Sequence, residues 1–506
     1  MIRVSFSVPC RRRFALCPRQ AVSVFQFSSE MLANCVLLHV LSTLTLVQLR
    51  SRSKEETGKR FLTICSLFHS MTWLILGVLL WSQDASAEAF IEWRIPTSTP
   101  ESASGILNSI SFRFDFVSWP ILVILPLATI TCCWQNRSPH PAVSSLSSLL
   151  LGATVLIVSN DVLTLMAGAA FASLSLIPLA TKQGEAVLRQ QTIGWFWLFA
   201  GLAWLVACAA FVRSAPHGLP GASTTILSDL TSLIQRSTDQ HPAADFLWKQ
   251  YQLLPALSIL LGIGFLSGLV PFHTQIVQLF EDGSLQLRVG LIVVSKVALL
   301  LTYKILIQPD PGTWLGVCEV LEIPALLGLA YTSFLLMADA SSSLRLARLV
   351  VWSQHLTLFL LVTVPELGMI ILLLSSLTQF AALILLSLRE ELIRSGKLTE
   401  NNLAYGLIGV SMLAITSGGV GNFLLWQASL PLSTETPTGA TKLVLFALSL
   451  LISTTGMVRY LQKVEQPTEQ MESGHLQKFS LPLLAAWSGI AISSSFAILI
   501  YAVIGF

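Results

Sequence analysis

Residues 262–304 read GIGFLSGLVPFHTQIVQLFEDGSLQLRVGLIVVSKVALLLTYK. On either side of Glu281, Asp282 and Gly283 the chain is predominantly apolar for about 20 residues, the length a helix needs to cross the hydrocarbon of a bilayer. Proline removes a backbone donor and clashes with the preceding turn, so a helix over 253–280 must break at Pro271. In the next apolar run, 286–307, Lys296 stands about ten residues from either end, too central for its ammonium to snorkel to water. The stretch therefore predicts two membrane helices, the first interrupted and the second holding a cation near its middle.

The composition extends that reading to the whole chain. Of 506 residues, 53% are hydrophobic and 11% charged, whereas soluble domains carry about 25% charged residues. Continuous apolar runs recur from end to end and predict an all-α polytopic membrane bundle of about 14 transmembrane helices. A transmembrane barrel needs short alternating segments instead. The lipid bilayer is the first implied partner, and a net charge of +3 gives no reason to expect nucleic acid. The eight cysteines show no CxxC or Cys/His pattern, so no metal site is expected and the thiols read as small apolar fillers.

A second interruption is expected in the twelfth run, 403–428, where TSGGVGN (416–422) places Gly418, Gly419 and Gly421 in an apolar setting. Backbone groups freed at both breaks must find partners inside the protein, because lipid offers none. The loop RSRSKEETGKR (50–60) holds five basic residues, and later odd-numbered loops add most of the others. By the positive-inside rule these loops face the cytoplasm and both termini lie on the opposite side. The tail 1–30 conflicts with that orientation, since it carries Arg3, Arg11, Arg12, Arg13 and Arg19. It also has no apolar segment of signal-peptide type. The expectation is a basic tail that is a gene-model extension, with translation starting at Met31 and the transmembrane domain covering 31–506.

Ionisable groups inside spans cost about 2.5–3.5 kcal/mol or more at the bilayer centre and are default functional candidates. Lys296 reads as a protonatable relay group, or as a structural bridge between helices. His273, just after Pro271, reads as a titratable group at the break or as its cap. His355, beside Ser353 and Gln354 in RLVVWSQHLTLFL, completes the proposed relay set of Lys296, His273 and His355. Glu281 is expected at the membrane interface, while Asp115 and Asp161 sit at span starts where a helix N-terminus favours a carboxylate. These three are possible support for the relay. Lys304 lies near its span end and is expected to snorkel. No nucleotide-binding loop, paired haem-type histidines or catalytic constellation can be read, so no catalytic residue and no bound cofactor are expected.

The count of spans, the outward termini and the two broken helices resemble the antiporter-like membrane subunits of proton-pumping NADH:quinone oxidoreductase (complex I), with subunits N and M nearest. Residues 262–304 are the most specific match: Pro271, His273, Glu281 and Lys296 fall on the positions of the family's helix 7–8 signature. Shorter matches are FRFDFVSW (112–119), NDVLTLMAGAAFASLSLIPLA (160–180), RLARLVVWSQHLTLFLL (345–361), LAITSGGVGNFLLWQASL (413–430) and STTGMVRYLQKVEQ (453–466). Together they make 110–466 the most family-like region.

The chain departs from the family at charged positions. The resemblance implies a fifth-helix glutamate where Ala170 stands, a seventh-helix lysine where Leu266 stands, and in subunit N a lysine where Asn422 stands. Lys296 is the remaining central relay group. The family's function implies a subunit that translocates protons while quinone is reduced elsewhere, touching quinone only through partner subunits of the complex. It also implies a multi-pass protein of a bacterial-type inner membrane or its equivalent. The missing charges leave open a non-pumping structural paralogue, or a membrane subunit of an inorganic-carbon uptake, hydrogenase or cation/proton antiporter complex.

Overall fold

The computed structural model describes residues 55–83, 90–96, 109–115, 118–135, 141–180, 184–213, 251–307, 315–338, 340–363, 377–389 and 437–462, with isolated residues near 32–41, 246–249 and 485–497. The tail 1–30 and the glycine-rich stretch with Gly418, Gly419, Gly421 and Asn422 lie outside the described residues. Helix dominates. The described helices are α1 (Glu55–Gln83), α2 (Ser118–Gln135), α3 (Pro141–Val158), α4 (Val162–Leu176), α5 (Gly184–Arg213), α6 (Leu253–Ser267), α7 (His273–Asp282) and α8 (Leu285–Thr302). They continue with α9 (Leu315–Met337), α10 (Ser342–Thr363), α11 (Leu377–Arg389) and α12 (Pro437–Gln462). Among the described residues, five helices are long and apolar enough to cross a membrane, and shorter apolar helices pack beside them.

The described residues fit the all-α expectation, with one short hairpin beside the helices. Strands β1 (Phe90–Pro96) and β2 (Ser109–Asp115) form an antiparallel ribbon in the register Ile91↔Phe114 and Trp93↔Phe112. Trp93 stacks on Phe112 with ring centroids 5.5 Å apart, and Trp73 of α1 stacks on Phe114. The strand residues alternate between aromatic and polar from Ser111 to Asp115, the period-2 pattern of a strand, and Ser111 and Asp115 are buried along with Phe112 and Phe114. A search for long apolar runs passes over seven-residue strands. The expected third span also starts late: Asp115 ends β2, and α2 begins at Ser118.

The hairpin is latched to the turn between α3 and α4. Asn160 N–H donates to the Ser111 carbonyl at 3.0 Å, and its side-chain amide donates to Glu92 Oε1 and Ser111 Oγ. Asp161 caps α4 by accepting from Thr164 N–H at 2.9 Å, while its second oxygen accepts from Thr164 Oγ1 and from Ser111 N–H at 2.8 Å. One carboxylate thus satisfies an orphan donor of the helix and one of the ribbon.

α8 is the axis of the molecule. It packs against α2, α3, α4, α6, α7 and α10, and every residue from Leu285 to Thr302 is buried. A predominantly apolar helix buried on every side has no water-facing stripe, and the polar residues of α8, Gln286, Arg288, Ser295 and Lys296 among them, are buried with the rest. α5 and α6 approach closely because Gly262 has no side chain: a Cβ there would meet the backbone of Leu198 and Gly194. Close backbone approach through small residues is the usual way membrane helices associate, since lipid supplies no hydrophobic drive between them.

Candidate functional site

The site is built around the gap between α6 and α7. α6 ends at Ser267, and Gly268 takes the left-handed conformation (φ 67°) that L residues other than glycine rarely adopt. The Gly264 carbonyl accepts from both Gly268 and Leu269 N–H. α7 starts at His273, two residues past Pro271, and the Val270–Pro271 peptide is cis. The backbone groups released here find partners on neighbouring helices. Gln190 of α5 donates to the Phe265 carbonyl at 2.9 Å, and Val270 N–H donates to His355 Nε2 of α10 at 3.0 Å.

Lys296 lies at the middle of α8 and is 2% exposed. Its ammonium donates to Gln379 Oε1 of α11 at 2.6 Å, and the same oxygen accepts from Thr357 Oγ1 of α10 at 3.0 Å. Beside it, Gln354 of α10 donates to Ser295 Oγ at 2.7 Å, and Ser267 at the end of α6 donates to the Ser295 carbonyl at 3.3 Å. Gln354 Oε1 is buried with no hydrogen-bond donor among the described residues. These groups form two neighbouring polar sets, Lys296–Gln379–Thr357 towards α11 and Gln354–Ser295–Ser267 towards the helix break, joined through the adjacent residues Ser295 and Lys296. A charge-assisted hydrogen bond contributes roughly 1.5–3 kcal/mol, against about 2.5–3.5 kcal/mol for a lysine at the bilayer centre. Gln379 therefore offsets part of the cost of burying Lys296.

Ala170 and Leu266, where the resemblance implies charge, take unlike places. Leu266 is buried on α6 against Gly194, while Ala170 is exposed on α4. Neither side chain bears a polar group that could join the polar sets around Lys296, and Gln379 supplies the acceptor as a neutral amide.

The other expected residues separate. His273 is half-buried at the start of α7, its ring meeting Tyr331 of α9 edge-on at 5.5 Å between centroids. Glu281 is half-buried at the end of α7 and accepts from Ser341 Oγ at 3.3 Å. Asp161 belongs to the hairpin latch. Asp115 Oδ1 accepts from Ser118 N–H at 2.9 Å and from Ser118 Oγ at 2.6 Å, fixing the entry to α2.

Lys304 does not snorkel. Its Nζ lies 3.4 Å from Asp115 Oδ2 and donates to Ser118 Oγ at 2.7 Å and to the Ile157 carbonyl at 2.6 Å. At the opposite end of α8 is a buried arginine that a reading for mid-span charges misses. Arg288 is 0% exposed; its Nε donates to the Phe280 carbonyl at 2.8 Å, and Nη2 reaches the Glu281 carbonyl and Ser343 Oγ. A cation on the carbonyl end of α7 opposes the negative end of that helix. Arg288, Lys296 and Lys304 recur every eight residues along α8 and the turn that continues it, about 12 Å apart by helical rise. That spacing is a signal available in the sequence.

No protein family and no curated protein sequence matches the chain. Its fold does match solved structures over nearly its full length. A chain of the membrane-bound sulfane sulfur reductase, an archaeal respiratory membrane complex, superposes with a TM-score of 0.65 at 13% identity, covering 93% of this chain and 95% of that one. A chain of the Mrp complex from a Dietzia species gives 0.65 at 12% identity, covering 95% of each. A chain of respiratory complex I from Thermus thermophilus gives 0.58 at 15% identity, covering 92% of this chain and 97% of that one. The fold is that of an antiporter-like membrane subunit of the complex I type, as the resemblance implies. All three matched chains come from complexes, the sulfane sulfur reductase being a respiratory membrane complex.

Proposed function

We propose that the chain is a membrane subunit of an NADH:quinone oxidoreductase-type complex, translocating protons while quinone is reduced by other subunits. The observation that supports this most is Lys296: a cation in the centre of a fully buried helix, hydrogen-bonded to Gln379 and next in sequence to Ser295, whose carbonyl accepts from Ser267 at an interrupted helix. A lysine is a competent proton carrier where its surroundings let it alternate between charged and neutral forms. Gln379 suits that alternation, because a neutral amide can accept from the ammonium and donate to the free amine. The chain binds no cofactor of its own in this reading and meets quinone through its partners.

The specific observation behind a second reading, a non-pumping structural paralogue, is apolar packing at Leu266, which fills its space against Gly194 where the resemblance implies a lysine. Assemblies of the sulfane sulfur reductase or Mrp type are further hosts for the same fold.

The deciding experiment isolates the tagged chain from its native membrane in mild detergent and identifies its partners by mass spectrometry. The intact complex is then reconstituted in vesicles. Quinone-reductase partners, together with proton uptake that falls at least severalfold in Lys296→Ala, support the proposal. Unchanged uptake per electron in Lys296→Ala selects the paralogue. Partners of another assembly type overturn the respiratory assignment.

A further inference from the structure

We propose that His355 is the positioning residue of the helix break, a neutral acceptor that holds the Val270 N–H and does not relay protons. Its ring makes two bonds to backbone. Val270 N–H lies 3.0 Å from Nε2, and the Val351 carbonyl lies 2.9 Å from Nδ1. A backbone N–H can only donate and a carbonyl can only accept, so one tautomer satisfies both: Nε2 bare and Nδ1 protonated. The imidazolium has a proton on each nitrogen and would set two N–H groups against each other at Nε2.

The donor that His355 receives lies in the turn between α6 and α7 and has no backbone partner among the described residues. The Gly264 carbonyl already takes Gly268 and Leu269, and the next residue, Pro271, has no N–H to extend a ladder. A backbone donor left open at membrane depth is costly, so an acceptor from another helix is required. The site for that acceptor is shaped on the third side by Gly328 of α9, where any Cβ would run into Cδ2 and Nε2 of the ring. Three elements thus converge: the donor from the α6–α7 turn, the ring from α10, and the space from α9. His273 at the start of α7, three residues beyond Val270, is the titratable group nearest in sequence to the break, and Tyr331 of α9 lies against it.

Holding the break replaces the relay role that the sequence suggests for His355. A relay through Nε2 would require the Val270 bond to break at each transfer, whereas the hydrogen bonds of Lys296 to Gln379 and of Ser267 and Gln354 to Ser295 do not involve His355. The positioning role stands whether or not the chain translocates protons.

The test uses the full chain in lipid, within its complex. With histidine ring nitrogens labelled, NMR should show His355 with Nδ1 protonated and Nε2 bare throughout the neutral pH range. Hydrogen–deuterium exchange in peptides covering 264–275 should rise about tenfold in His355→Phe, as for a lost backbone bond. It should return towards wild type in His355→Gln, whose amide oxygen can accept from Val270. Peptides from α3 and α4 should not change. An Nε2 that gains a proton in that pH range overturns the proposal, and so does wild-type exchange in His355→Phe. If His355→Phe fails to fold, the wild-type spectrum and the His355→Gln rescue still decide.

Discussion

Lys304 Nζ lies 3.4 Å from Asp115 Oδ2, so the last turn of the central helix is tied to the foot of the hairpin by a buried ion pair. Breaking a buried pair leaves one charge uncompensated and costs roughly 3–5 kcal/mol, whereas replacing both partners costs far less. Asp115→Asn and Lys304→Met should each lower the unfolding midpoint of the solubilised protein strongly. The double variant should lose clearly less than the sum of the two. Thermal unfolding of all four proteins in one detergent measures this coupling, and additive losses would show that the two side chains act independently.

A neutral acceptor for a buried ammonium gives a different pattern. In Gln379→Leu the Lys296 ammonium and the Thr357 hydroxyl both lose Oε1. The expected loss is about 2 kcal/mol, as for a charge-assisted bond left unmade. Adding Lys296→Met should recover most of it, because the stranded charge is then gone. Stability of the single and double variants checks this; an equally unstable double variant would place the damage in packing rather than in the bond.

The sequence makes the axis of this molecule legible and its fastenings much less so. α8 announces itself because an apolar run of membrane length with a central lysine is the pattern of a helix buried within a membrane bundle. Pro271 likewise marks the gap before α7. Gln379 could not be assigned to Lys296, since 83 residues separate them and an uncharged amide gives no electrostatic signal. Nor could Lys304 be assigned to Asp115, several helices away in the chain, because proximity to the end of a span makes snorkelling the simpler expectation. The hairpin hides for a reason of scale: seven-residue strands fall below any window tuned to bilayer thickness. His355 shows a further limit. A histidine among polar neighbours reads as a titratable group, and only the position of the Val270 N–H reveals an acceptor.

Asp161 joins helix capping to the hairpin latch, so its removal should be felt in both places. Asp161→Ala withdraws the acceptor from Thr164 N–H, Thr164 Oγ1 and Ser111 N–H together. Loss of an N-cap alone costs about 1 kcal/mol, with up to about 2 in proteins, and the Ser111 donor adds to it. Amide exchange should quicken over 109–115 as well as in the first turn of α4. Faster exchange in α4 alone would show that the hairpin is held by Asn160 and not by Asp161.

The same substitution should have opposite effects at two glycines. At Gly262 a methyl group would meet the backbone of Leu198 and Gly194, which cannot swing aside as a side chain can. The helices α5 and α6 would have to separate, and overpacking of this kind costs roughly 1–3 kcal/mol. At Gly489, in a helical stretch on the exposed side, a Cβ would meet nothing within 4 Å. Alanine there removes the conformational freedom of glycine and should stabilise by about 0.5–1 kcal/mol. Unfolding midpoints of Gly262→Ala and Gly489→Ala, measured side by side, should move down and up respectively. A neutral Gly262→Ala would mean that α5 and α6 are not in backbone contact at this seam.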